Sequence, residues 1–90
     1  MLVTSSNQER ILNEIQGERR RQDEKWGGVQ QLPDYTYLAI ATEELGEAAQ
    51  AMLHDEFGGD HAGTLRTELV QLAAVIVQWL ERMDMETTNE

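Results

Sequence analysis

Three glutamates, Glu43, Glu44 and Glu47, crowd one turn of a segment that otherwise reads Leu38, Ala41, Leu45, Ala48, Met52. At 3.6 residues per turn they span about 100° of a helix and adjoin that apolar seam, so they sit at the border of a core. No Lys or Arg occurs between Lys25 and Arg66. The i,i+4 pair Glu43/Glu47 and the i,i+3 pair Glu44/Glu47 therefore have no local basic partner and repel. Converging carboxylate oxygens without a counter-charge are what a hard divalent cation such as Mg²⁺ or Mn²⁺ requires. A fourth acid, Glu68, stands with Gln71 at i,i+3 on an otherwise apolar segment. If the two segments pack antiparallel, Glu44, Glu47 and Glu68 converge as oxygen ligands, with the Gln71 amide oxygen a weaker fourth and Glu43 at the rim. A solvated acidic face is the plainer reading of the first cluster. For Glu68 it is a carboxylate favoured in the first turn of a helix.

The elements that must hold these groups are helices. Gly27, Gly28 and Pro33, then Phe57, Gly58, Gly59 and Gly63, divide the 90 residues into three long segments. The first opens at Ser6, where Ser6 and Glu9 form a capping box, and its stripe runs Leu12, Ile15, Arg19, Gln22, Trp26. The second starts after Pro33, with Asp34 as cap, and continues to about residue 56. The third covers about residues 64–83, and only Gln71 and Gln78 interrupt its apolar stretch from Leu69 to Leu80. Such a helix must be surrounded. Residues 1–6 and 84–90 are expected to fray. The fold class is all-α: one domain over residues 1–90, a helical hairpin with an N-terminal helix, completed by association into a dimer or tetramer.

Composition narrows the function. The formal charge of −10 and a pI near 4.5 argue against a nucleic-acid partner. The longest apolar run, residues 72–77, is far short of the roughly 20 residues of a bilayer-spanning helix. The chain contains no cysteine and opens without a basic segment followed by an apolar stretch, which fits a reducing cytoplasm and not export.

Glu43-Glu44-Leu45-Gly46-Glu47, followed after twenty residues by Glu68-Leu69-Val70-Gln71, resembles the paired motif of the MazG-like all-α nucleoside triphosphate pyrophosphohydrolase superfamily, Glu-Glu-x-x-Glu and then Glu-x-x-Asp. The likeness covers about residues 38–83, and Arg21-Gln22-Asp23-Glu24-Lys25-Trp26-Gly27 is similar to the segment before the bundle in small bacterial and phage members. One position departs: Gln71 stands where the family has Asp. The resemblance implies Mg²⁺-dependent cleavage of a nucleoside triphosphate to the monophosphate and pyrophosphate. It makes Glu44, Glu47 and Glu68 metal ligands, and Glu43 either a ligand of a second ion or the base that orients water. Gln71 keeps a coordinating oxygen but removes a charge, so weak or absent turnover is an alternative outcome.

On the substrate side, Arg19 and Gln22 continue an apolar stripe and can point inward to phosphate oxygens, although a helix overhanging into solvent would present the same pattern. Lys25 supplies a point charge at the helix end, and Trp26 either a base-stacking platform or a packing anchor. Trp79 reads as core or subunit interface, and His54 and His61 as surface residues. A third function class is an acidic interaction protein, which the charge permits. A di-iron bundle fails, because neither histidine has a Glu three residues before it.

Overall fold

Glycine and proline stop the helices at the expected places. The computed structural model describes the backbone of residues 2–89 and the side chains of residues 6–85. It contains helix α1 (Leu2–Trp26), α2 (Asp34–Phe57) and α3 (Leu65–Asn89), with no strand among the described residues. None of these helices is long and apolar enough to cross a membrane.

The boundaries differ from expectation at three ends. α1 begins at Leu2, so Ser6 is an interior residue and not a cap; no Gly or Pro precedes it to stop the backbone adding a turn. Pro33 occupies the cap of α2 in extended conformation with no side-chain cap hydrogen bond. Asp34 is instead the first helical residue, and its carboxylate accepts the Trp79 indole N–H at 2.9 Å. α3 runs to Asn89, and the side chains of residues 1–5 and 86–90, at the ends expected to fray, lie outside the described residues.

α3 is the central rod. It packs against α2 on one side and α1 on the other, while α1 and α2 do not pack on each other. The result is a flat layer of 50 × 36 × 21 Å. The α2 face turned to α3 carries Tyr37, Ala41, Ala48 and Ala51. These small residues let the two backbones approach, and Tyr37, Ala41 and Val75 form the core with Leu32, Ile40, Leu72 and Trp79 packed around it. The Tyr37 and Trp79 rings stack at 6.0 Å.

The expected α2 seam is thus only half right. Ala41 and Ala48 are buried, but Leu38, Leu45 and Met52 are each more than half exposed. They repeat every seven residues, one sector away from the inward stripe, because the alanines and Tyr37 claim the contact with α3. α3 is likewise not surrounded. Two neighbours cover two of its sides, leaving Leu69, Ile76, Val77, Leu80 and Met83 exposed.

The loops are tightly held. The Gly27 and Gly28 amides both donate to the Asp23 carbonyl as α1 ends. In the α2–α3 turn, Gly59 has φ +148° and a side chain there would lie 2.4 Å from the His54 ring, so no other residue fits. His54 and His61, expected at the surface, are drawn partly inward by this turn. Both are half-buried, the rings lie 5.2 Å apart, and His54 Nδ1 accepts the His61 backbone N–H at 3.0 Å.

Candidate metal centre and adjoining groove

The antiparallel α2–α3 hairpin brings the paired acids together. Glu44 and Glu47 lie one turn apart on α2, Glu68 lies in the first turn of α3, and one carboxylate oxygen from each lies within 4.8 Å of the others. Glu44 and Glu68 are half-buried, whereas Glu47 and Glu43 are exposed. Glu44 Oε2 and Glu68 Oε2 are buried without a hydrogen-bond partner. None of the salt bridges among the described residues reaches this cluster: the arginines with assigned bridges, Arg19, Arg21 and Arg66, are matched to Asp23, Glu81, Glu18 and Glu14.

Burial first, then the charges of Glu47, Glu68, Glu18 and Glu43, push the Glu44 carboxyl above its ordinary range. Burial also raises Glu68, reinforced by a hydrogen bond and charge from Glu47 and opposed by the nearby charge of His61. The donor set is all oxygen, acidic, partly desolvated and without an assigned salt bridge, which is chemistry a hard divalent cation satisfies. Gln71 is half-buried one turn beyond Glu68 on α3.

The inward-turned residues of α1 are structural. Arg19 is 5% exposed and Gln22 2%. The Arg19 guanidinium donates to Glu81 at 2.6 Å, Asp23 at 2.8 Å and Gln22 at 3.3 Å. Both side chains do point into the bundle, but this network ties α1 to α3 and commits the arginine donors. Lys25 sits at the exposed end of α1, its ammonium 5.4 Å from the centroid of the Trp26 ring.

The helix faces that carry the acids continue along both helices. On α2 the stripe runs Glu47, Glu44, Ile40, Tyr37, and on α3 it runs Glu68, Gln71, Val75, Gln78, each at helical spacing. At its far end Gln78 is 3% exposed. Its Oε1 accepts the Gln30 backbone N–H at 3.1 Å and lies 3.0 Å from the Tyr37 hydroxyl, which donates to the Gln30 carbonyl at 2.7 Å. Gln78 Nε2 donates to Gln22. Gln78, which breaks the apolar run of α3, is therefore the anchor of the α1–α2 loop.

Sequence reasoning passed over Tyr37, Gln30, Gln78, Glu18 and His61 as parts of this region. For Tyr37 and Gln78 a signal existed, since they extend the Glu44 and Glu68 faces by two or three turns. Glu18 and His61 come from other elements, and no local spacing relates them to the acids.

Comparison with protein-family models, curated proteins and solved structures gives no match.

Proposed function

We propose that this chain is a Mg²⁺- or Mn²⁺-dependent nucleoside triphosphate pyrophosphohydrolase, a small relative of the MazG-like superfamily that releases pyrophosphate and the nucleoside monophosphate. The observation that carries this reading is the convergence of Glu44, Glu47 and Glu68 with two buried carboxylate oxygens left unpartnered. Unpaired like charges held this close cost stability, and a dication offsets that cost.

In this reading Glu44, Glu47 and Glu68 hold the ion, and the Gln71 amide oxygen is a neutral fourth donor. When bound, the ion supplies charge neutralisation at the phosphoryl oxygens and acidifies water. Glu43, exposed at the rim, holds a second ion or orients the attacking water. Lys25, whose ammonium lies over the Trp26 ring at the end of α1, is a candidate substrate contact in this reading. Arg19 and Gln22 act indirectly, by fixing α1 on α3.

Gln71 favours a second reading, a relative that binds metal and nucleotide with little turnover, because the set has one negative charge fewer than the motif it resembles. Pyrophosphate release from a panel of triphosphates, with Mg²⁺ or Mn²⁺, tests both. Release that Glu47→Gln abolishes supports the hydrolase, and binding without release supports the silent relative. Indifference to divalent ions would sink both and leave an acidic interaction protein.

We also infer a homo-oligomer, a dimer or a tetramer, built on the exposed Leu38/Leu45/Met52 row and the open side of α3. The absence of cysteine supports a reducing cytoplasmic setting.

A further inference from the structure

Glu18 stands on the inner face of α1. It lies three residues after Ile15 and four before the buried Gln22, a spacing that aligns all three toward α3. Its carboxylate is tied to Arg21 through both oxygens, Oε1 accepting the guanidinium Nε–H at 2.9 Å and Oε2 an Nη2 donor at 2.6 Å. The pair is built in the opposite sense to its neighbours. In the other salt bridges among the described residues the acids, Glu14, Asp23 and Glu81, are at least 42% exposed, whereas the Glu18 side chain is 13% exposed and its arginine 54%. The acid is held inside and its base outside.

Glu18 faces the stretch of α3 that carries Glu68. With Arg21 it borders a recess whose α3 wall includes Thr67 and Val70. Those residues adjoin Glu68 and Gln71 in the chain, and on one helix such neighbours lie about 100° apart. Because α1 and α2 do not pack on each other, α3 forms the floor between Glu18 on one side and Glu44 on the other. The electrostatics agree. Burial is the largest cause of the raised Glu44 carboxyl, and among the acids that add to it Glu18 precedes Glu43, the immediate neighbour of Glu44 in the chain. A carboxylate held inside beside others of like charge costs stability, and an apolar side chain would fill the position without that cost. What the position gains is a further negative charge from a third helix.

We propose that Glu18 is a fourth carboxylate of the candidate metal centre, supplied by α1, and that Arg21 competes with a divalent cation for it. A bidentate guanidinium engages both oxygens, so a closed pair leaves Glu18 turned away from an ion. Opening costs little, because Arg21 is more than half exposed and rehydrates on leaving. The proposal rests on the metal-binding reading of Glu44, Glu47 and Glu68, and its test separates the two. Mn²⁺ is titrated calorimetrically into the full chain and into Glu18→Gln, Arg21→Gln, the double variant and Glu47→Gln, with Arg20→Gln as the control for a charge lost from the same turn of α1. Glu18→Gln is expected to weaken binding about tenfold, as loss of a ligand charge does. Arg21→Gln is expected to tighten it about threefold, and only while Glu18 is present, which the double variant reads as a coupling between the two positions. Arg20→Gln is expected to leave it unchanged. In the wild-type chain, Mg²⁺ alone is expected to move the Arg21 Nε–H resonance to that of a solvated guanidinium, a readout that requires no variant to fold.

Binding that Arg21→Gln weakens, that it tightens equally in the Glu18→Gln background, or that Arg20→Gln tightens as much would reduce the pair to surface charge and overturn the proposal. So would an Arg21 resonance unmoved by saturating Mg²⁺. If Glu47→Gln abolishes Mn²⁺ binding while Glu18→Gln leaves it unaltered, the metal centre stands and Glu18 lies outside it. Absence of any Mn²⁺ binding to the wild-type chain would remove both readings together.

Discussion

The carboxyls of Glu47 on α2 and Glu68 on α3 lie within hydrogen-bond reach of each other across the hairpin, and burial first, then this contact, makes Glu68 hold its proton more firmly. Like-charged groups twenty-one positions apart are held together by the packing of Ala48, Ala51 and Ala74, whose small side chains bring α2 and α3 close. The fold thus stores repulsion at one end of its best-packed contact, and the chain's titration behaviour follows from that.

Metal-free stability should fall as pH rises above the ordinary carboxylate value of 4.5. Glu44 and Glu68 bind protons more tightly folded than unfolded, so their contribution is complete below the unfolded value and is lost as pH climbs through the raised folded one. Relief of the repulsion in Glu68→Gln should raise Tm near neutral pH by roughly 2–4 °C, about 0.5 kcal/mol, and have little effect at pH 4. Thermal melts of both proteins from pH 4 to 8 measure this, and parallel curves would contradict it.

Divalent ions should reverse the penalty. At a hundredfold excess over Kd, Mn²⁺ should stabilise the chain by about 2.7 kcal/mol, and Glu47→Gln or Glu68→Gln should erase most of that gain. Differential scanning fluorimetry with and without the ion, with Ca²⁺ and Na⁺ as controls, reads the effect. A gain that survives both substitutions would place the ion elsewhere.

Gln71→Asp restores a fourth carboxylate, and Mg²⁺ affinity should rise about tenfold with a parallel increase in pyrophosphate release. Calorimetry on the metal and a release assay on the same preparation separate tighter binding from faster turnover. Weaker binding in this variant would show that Gln71 does not face the ion.

Removing the loop anchor should be costly. In Gln78→Leu the Gln30 amide and the Gln22 carboxamide oxygen each lose a buried partner, for a loss of about 2 kcal/mol, or roughly 10 °C in Tm. Chemical denaturation gives the stability, and an unchanged midpoint would mean that the network is dispensable.

Self-association should depend on the exposed rows. Leu45→Glu and Ile76→Glu, at positions 57% and 43% exposed, should leave helical content intact and convert an oligomer to a monomer. Light scattering after size exclusion distinguishes the species. A wild-type chain that is already monomeric at high micromolar concentration would refute the association.

The sequence alone determined the three helices and their punctuation, because Gly and Pro act on the backbone locally and periodicity needs no partner to be visible. It also placed Glu44, Glu47 and Glu68 for convergence, since i,i+3 spacing and an antiparallel hairpin suffice. It did not determine which sector of α2 faces inward: Leu38, Leu45 and Met52 are the more apolar choice, yet the closer approach through Tyr37, Ala41, Ala48 and Ala51 prevails. Nor could it tell that Arg19 is consumed by Glu81, sixty-two residues away, or that Gln78 anchors the loop over a cavity. Those contacts join positions remote in the chain, and only the packing of α1 and α2 on opposite sides of α3 brings them together.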